Sequence, residues 1–426
     1  MTQLIIKEIG PIKDIAIELK RINIFIGPQS CGKSTIAKII SFCQWVEKEA
    51  LLRQNVEFIN NGFVITSLLQ FHNITDFFNP DSEIIYTSDV ISLHIKGYHQ
   101  DHFDIIEISK NNGFFQAVVS KNAYIPADRN LAFVTGILSI DLPKNYFRSF
   151  LVDWDNIRRK FGNSDKVRLL DIGESYYYNE NTGLDTLHMK NGKDLPISQA
   201  SSGIQSVTPL YLYLTYLTNW IYTHDEDKSV EKIRMIKKGA LRKFLNMETS
   251  DIEVLEATGE DKDNAINALL EKIETRFPGL QKHLAQYEEQ VGKPHFSNIV
   301  IEEPEQNLFP QTQARLIYDI LSMLNHKRDS LVITTHSPFI LYALNNCMLA
   351  HTALDRISNE IKLNLDFQDV SYLDPKQVAV WEIREGYIEN IDGERNVTIQ
   401  NTLGLIGSNY FDRVMGNIMA DYHNLL

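Results

Sequence analysis

Eight residues near the start of the chain carry the strongest chemical signal. Gly27-Pro-Gln-Ser-Cys-Gly32-Lys33-Ser34 has the spacing G-x-x-x-x-G-K-[ST]. A loop that wraps a polyphosphate needs backbone N–H groups pointing inward, which glycines permit, and a helix starting at its end adds a positive dipole terminus. In this reading Gly27, Ser30, Gly32 and Thr35 belong to the cradle, Lys33 reaches the β- and γ-phosphates, and Ser34 holds Mg²⁺.

A second group lies far along the chain. Asn298-Ile-Val-Ile-Glu302-Glu303-Pro304-Glu305 places three apolar residues before two acids. That is the pattern of a buried strand delivering carboxylates to the ligand-binding edge of a sheet. Glu302 is assigned to the Mg²⁺ shell and Glu303 to orienting or deprotonating the attacking water. Leu331-Val-Ile-Thr-Thr-His336-Ser-Pro sets a histidine after another buried strand, within reach of a γ-phosphate. Ala200-Ser201-Ser202-Gly203-Ile204-Gln205-Ser206 opens a helix with serines and a glycine, which is either an anion site or a plain N-cap by Ser201 or Ser202.

These residues need a scaffold, and the hydrophobic pattern supplies an α/β one. Strands are predicted at Leu4–Ile6, Ile15–Leu19 and Arg21–Ile26, the last running into the loop, and a helix from Lys33 carries Ile36, Ile39, Ile40, Cys43 and Val46 on one face. Glu83–Thr87, Val90–Lys96, Phe103–Ser109 and Phe114–Ser120 read as an antiparallel meander, with Asn111-Asn112-Gly113 as a turn. Ala123–Pro126 returns to the core, and residues 140–195 are not assignable. A long helix begins at Ser202. Strands at Asn298–Glu302 and Leu331–Thr334 flank a helix over Gln311–Leu324, and Val378–Arg384, Tyr387–Ile391 and a helix at Tyr410–Leu425 complete the chain.

The division expected is an N-terminal part of the head over 1–224, an inserted helical lobe over 225–294, and a C-terminal part over 295–426. The lobe carries Lys232, Arg234, Lys237, Lys238, Arg242 and Lys243, then an acidic stretch, and includes a predicted helix at Asn264–Phe277. It is either a solvated helical lobe or a surface for a partner or nucleic acid.

Composition limits the function classes. With 426 residues, 43% apolar and 23% charged, the chain is globular and long enough for two or three lobes. A net charge of −13 argues against a generally basic, nucleic-acid-coating surface. Three scattered cysteines make neither a disulfide framework nor a zinc cluster, and a cytoplasmic location is expected. Leu195–Thr223 lacks charge, but its first half is too polar to span a membrane.

The four motifs, in this order, resemble the ABC-type P-loop NTPase head. The closer likeness is to the OLD-like and RecF-like branch of AAA-type prokaryotic ATPases (AAA_15- or AAA_21-like), many of which belong to anti-phage defence systems. The resemblance implies ATP and Mg²⁺ as ligands and a homo-oligomer, at least a head-to-tail dimer. ATP held by Lys33 and Ser34 of one subunit would be covered by Ser202, Gly203 and Gln205 of the other. Glu303 would be the catalytic base and His336 the switch histidine. Where related heads carry a glutamine, this chain has Tyr124-Ile-Pro-Ala-Asp128-Arg129, so Asp128 or Arg129 is assigned to sensing the nucleotide. No Toprim nuclease is expected after His336. The implied function is an ATPase that is the sensor or scaffold of a defence complex, controlling a separate effector such as a nuclease or toxin. The alternative is a RecF- or SMC-like repair ATPase that clamps DNA.

Overall fold

The computed structural model describes residues 2–134, 137–170, 174–224, 230–245, 280–324, 328–353 and 365–425. Fifteen strands in these residues form two sheets. They are β1 (Thr2–Ile9), β2 (Ile12–Leu19), β3 (Ile22–Ile26), β4 (Glu83–Thr87), β5 (Ile91–His99), β6 (His102–Lys110), β7 (Ser120–Ile125), β8 (Val167–Leu169), β9 (Glu174–Asn179), β10 (Leu184–His188), β11 (Asp194–Pro196), β12 (Phe296–Glu302), β13 (Ser330–Thr334), β14 (Val378–Arg384) and β15 (Tyr387–Ile388). The large sheet has the order β6-β5-β4-β1-β2-β15-β14-β3-β13-β12-β7.

Its two halves differ in direction and in reason. From β6 to β2 the strands are antiparallel, with Ile6 paired to Ile15 on one side and Ile84 on the other. From β14 to β7 they are parallel, so Ile24 lies beside both Ile333 and Val380, and Ile299 beside Leu331 and Ala123. The two-residue β15 joins the halves, antiparallel to β14 and parallel to β2. Parallel strands must be covered on both faces, and all five residues of β3 are buried. Successive residues serve opposite layers: Ile24, Ile299 and Ile301 join one core, Phe25 and Val300 the other.

Eight helices define the layers: α1 (Lys33–Arg53), α2 (Tyr146–Arg158), α3 (Ser202–Thr215), α4 (Val230–Leu245), α5 (Leu280–Gly292), α6 (Pro310–Met323), α7 (Pro338–Thr352) and α8 (Tyr410–Leu425). The predicted stripe of α1 is buried against the second core together with Leu4, Ile6 and Ile84 of the antiparallel strands. Each such side chain contributes roughly 1.5–3 kcal/mol by leaving water. The first core lies on the opposite face, where Leu210, Leu316 and Leu341 of α3, α6 and α7 meet.

Two expectations need correction. Phe114–Ser120 is not a strand of the meander. Its N–H groups are used locally, Phe114 N–H donating to Asn111 O and Ala117 N–H to Gly113 O, while Phe114 fills the core. Only at Ser120 does the chain become extended, as β7. The strand at Tyr387–Ile391 stops at Ile388 and continues as an isolated pairing of Glu389 with Arg395. The unassigned 140–195 region holds α2 and a separate sheet in the order β11-β10-β9-β8.

Of the expected lobe, α4 and α5 are described; the helix predicted at Asn264–Phe277 lies outside the described residues. The described part is docked on the C-terminal end of α1. Arg242 Nη1 donates to Arg53 O at 3.0 Å, and Gly239 sits where an added Cβ would be 2.5 Å from Leu52 O. Among the described residues no helix is long and apolar enough to cross a membrane.

Candidate functional site

The parallel strands β3, β12 and β13 end side by side, and the chemistry-bearing residues follow their last residues. β3 leads directly into the phosphate loop. Gly27 has φ 143° and Gly32 has φ 104°, both in the region that favours glycine. A Cβ on Gly27 would be 2.5 Å from Ile383 O, and one on Gly32 would be 2.8 Å from Ile12 Cγ1. Ser30 shares the left-handed conformation at φ 58°, so the loop curls back on itself before α1 begins. Lys33 is 5% exposed, and its Nζ donates to Gly27 O at 2.9 Å and Pro28 O at 2.7 Å. Burial lowers its pKa; Cys31, Glu303 and Glu305 oppose that shift. Thr35 is buried behind the loop, and Cys31 is a buried filler whose thiol pKa is raised by burial. Ser34 remains exposed.

Glu302 closes β12 and is 6% exposed. Burial raises its pKa, while the Ser34 and Tyr124 hydroxyls and the Lys38 ammonium favour its charged form. Its Oε1 is buried and has no hydrogen-bond partner. A hard cation shared by the Ser34 hydroxyl and this carboxylate would satisfy that oxygen, and Mg²⁺ is held in this way, by one or two carboxylates plus substrate oxygens. The donor set therefore fits the ion that the motif implies.

Glu303 adopts φ 43°, with its N–H bonded to Thr334 O at 2.9 Å. This turn one residue past the strand separates its carboxylate from that of Glu302 and leaves it 37% exposed. Glu303 Oε1 stands 3.5 Å from His336 Nε2. Burial, then the nearby Lys33 charge, lowers the pKa of His336, which favours the neutral imidazole.

One contributor was invisible in sequence. Glu305 is the third acid of its run, and its Oε1 accepts the His336 backbone N–H at 2.6 Å. The next residue, Ser337, caps α7 and donates to Gln313 Oε1 of α6. The histidine is thus held on one side by the carboxylate segment and on the other by α6. The only available signal was the E-x-P-E spacing, which does not identify an acceptor for a distant N–H.

Arg129 is placed differently from its expected nucleotide contact. It is completely buried, and all its nitrogens are used on main-chain carbonyls: Nε to Ser206 O, Nη1 to Pro126 O and Glu302 O, Nη2 to Glu303 O and Pro304 O. Burial lowers its pKa to about 10, against the pull of Glu305, Glu303 and Glu302, so it is charged at neutral pH. It is a strut linking the carboxylate strand to α3, and Asp128 beside it is exposed.

The loop, Glu302, Glu303 and His336 form one cluster; the serine-glycine segment opens α3, which Arg129 ties to Glu302 and Glu303 through Ser206 O. Ser201 caps α3 through Ile204 N–H, and Ser202 is exposed. Gly203 packs where a Cβ would be 2.8 Å from Asn307 O. Gln205 Nε2 donates to Ile197 O, Ser198 O and Ala200 O, which rigidifies the turn ahead of the helix.

A protein-family profile described as AAA ATPase domain matches residues 282–341, the segment that holds β12, Glu302, Glu303 and His336. No curated protein matches the chain. Among solved structures, the SMC head domain from Thermotoga maritima is similar at 10% identity and TM-score 0.35, covering 80% of this chain and 90% of that one. The Smc head domain with an extended coiled coil from Pyrococcus furiosus, bound to the C-terminal domain of ScpA, gives 10% identity and TM-score 0.38, covering 99% and 100%. The recombination mediator protein RecF with ATPγS gives 13% and 0.28, covering 91% and 96%. At these values nothing about function is carried over from them.

Proposed function

We propose that this chain binds and hydrolyses Mg²⁺-ATP as a head-to-tail dimer, and that the resulting change of shape controls a separate effector protein in a prokaryotic defence complex. The observation that carries the ATPase part is the convergence of Ser34 on Glu302, with Glu303 and His336 3.5 Å apart beside the same loop. Bound Mg²⁺ supplies charge neutralisation at the β- and γ-oxygens of ATP. The chain's own residues do the rest. Gly27, Ser30, Gly32 and Thr35 give the N–H groups and shape of the cradle, and Lys33 exchanges Gly27 O and Pro28 O for phosphate oxygens. Ser34 and Glu302 position the ion. Glu303 is the exposed carboxylate able to accept a proton from water, and neutral His336, oriented through Glu305, donates to the γ-phosphate.

Dimerisation is supported by the exposure of Ser201 and Ser202 at the start of α3, where a second chain can reach them. The defence role rests on the motif combination. The alternative, a DNA clamp, needs a basic surface, and the lobe's basic run is partly committed elsewhere: Arg242 binds Arg53 O, and Lys243 binds Phe115 O and Gln290 Oε1.

Light scattering of Glu303→Gln, with and without Mg²⁺-ATP, tests the reading. A mass increase toward two chains with ATP, absent in Lys33→Ala, is the expected result. Monomers under all conditions would remove the trans roles of Ser202, Gly203 and Gln205. Salt-sensitive, ATP-dependent duplex binding would move the reading to the DNA clamp.

A further inference from the structure

Beside β7, a cavity of about 430 Å³ lies between α1, the 66–72 segment and α2. Its volume falls in the range of small-molecule sites, roughly 300–1,000 Å³. Six aromatic rings line it: Phe42, Trp45, Phe71, Tyr124, Tyr146 and Phe150. Its charged lining is one-sided, with Lys48, Lys121 and Lys144 against the single carboxylate of Asp153 among the described residues. Gathering like charges is unfavourable unless an anion joins them. Lys48 shows the strain: burial first, then Lys121, lowers its pKa to about 8, with Lys232 adding to the effect and Glu49 and Asp153 opposing it.

Polar groups in the wall also lack partners. His72 is 2% exposed, and its Nδ1 has no hydrogen-bond partner. Its ring lies edge-on to Tyr124, with centroids 5.6 Å apart, and stacks on Tyr146 at 6.4 Å. Asn122 Nδ2 is likewise buried and unpartnered. Buried polar atoms are nearly always satisfied in native proteins, so two in one cavity wall call for a partner inside the cavity, a water or a ligand. An aromatic wall takes a planar ring, neutral His72 and Asn122 take the ring's polar edge, and the lysines take an anion.

We propose that this cavity is a second small-molecule site, distinct from the phosphate loop, that takes a nucleoside monophosphate. The base lies on the aromatic wall near His72 and Asn122, and the phosphate lies between Lys48 and Lys121. Tyr124 is the partition between the two sites, because it lines this cavity while its hydroxyl faces Glu302.

Isothermal titration of the full chain with AMP, GMP, CMP and UMP, without Mg²⁺, tests this, with inorganic phosphate as a fifth probe. At least one nucleotide is expected to bind with Kd below about 1 mM. That binding persists in Lys33→Ala and weakens at least about tenfold, or 1.4 kcal/mol, in Lys121→Glu and in the cavity-filling Ser67→Trp. Circular dichroism melting curves matching the parent chain establish that both variants are folded. The proposal is overturned if none of the four nucleotides binds, or if binding disappears in Lys33→Ala and survives in Lys121→Glu. It is also overturned if inorganic phosphate binds as tightly as the nucleotides.

Discussion

Replacing Arg129 by lysine isolates the strut beneath the carboxylates. The guanidinium serves five carbonyls, from Pro126, Ser206, Glu302, Glu303 and Pro304, at 2.8–3.2 Å. An ammonium keeps the charge but has three N–H bonds radiating from one atom. At least two carbonyls therefore lose their donor in a site without solvent. Each buried unsatisfied carbonyl costs about 1–3 kcal/mol, so Arg129→Lys is expected to lose about 4 kcal/mol. Arg129→Met removes all five of these donors, with Glu303 O still accepting from Gln306 N–H, and is expected to lose more. Against a total stability of roughly 5–15 kcal/mol, the lysine variant folds and the methionine variant is marginal. Urea unfolding followed by tryptophan fluorescence and far-UV circular dichroism reads both. A lysine variant within about 0.5 kcal/mol of the parent chain would refute the donor-counting argument. So would a methionine variant more stable than the lysine one.

Two other substitutions test separate parts of the fold. Glu83 is held to a pKa of about 2, chiefly by its hydrogen bond from Lys7, with His94 and Lys96 assisting. A carboxylate lowered in the folded state stabilises above its unfolded pKa and stops doing so as pH falls to its folded value. Glu83→Gln is thus expected to cost about 1 kcal/mol at pH 7 after solvent screening. The deficit should fade between pH 4.5 and 2, and a deficit independent of pH in urea titrations would contradict this. Gly239→Ala would force a methyl group against Leu52 O and Tyr287 Oη, with an expected loss of about 1–3 kcal/mol. Hydrogen exchange should quicken in the last turns of α1 and in α4; unchanged protection there would mean that this contact does not hold the lobe.

The local elements were legible wherever one periodicity prevailed. The stripe Ile36, Ile39, Ile40, Cys43, Val46 announced α1, and the uninterrupted apolar run of Ile22–Ile26 announced a strand covered on both faces. Phe114–Ser120 misled because its apolar residues fill the core from a turn, and composition alone does not distinguish that from a strand. The strands of the small sheet are short, three to six residues, and gave too little pattern to read.

At the site, the residue types and spacing in the chain already determined a glycine-built phosphate loop, a strand ending in two acids and a strand followed by histidine, because each is a contiguous run with its own geometry. Only the tertiary structure decided which of them meet. The parallel pairing of β3, β13 and β12 sets Lys33, Glu302, Glu303 and His336 at one edge although a long stretch of chain separates the first from the others. Glu305 and Arg129 acquired their roles in the same step. A side chain that serves the backbone of a distant segment is recognisable only once that segment lies beside it, since any acid or arginine has the donors or acceptors and only packing chooses their partners.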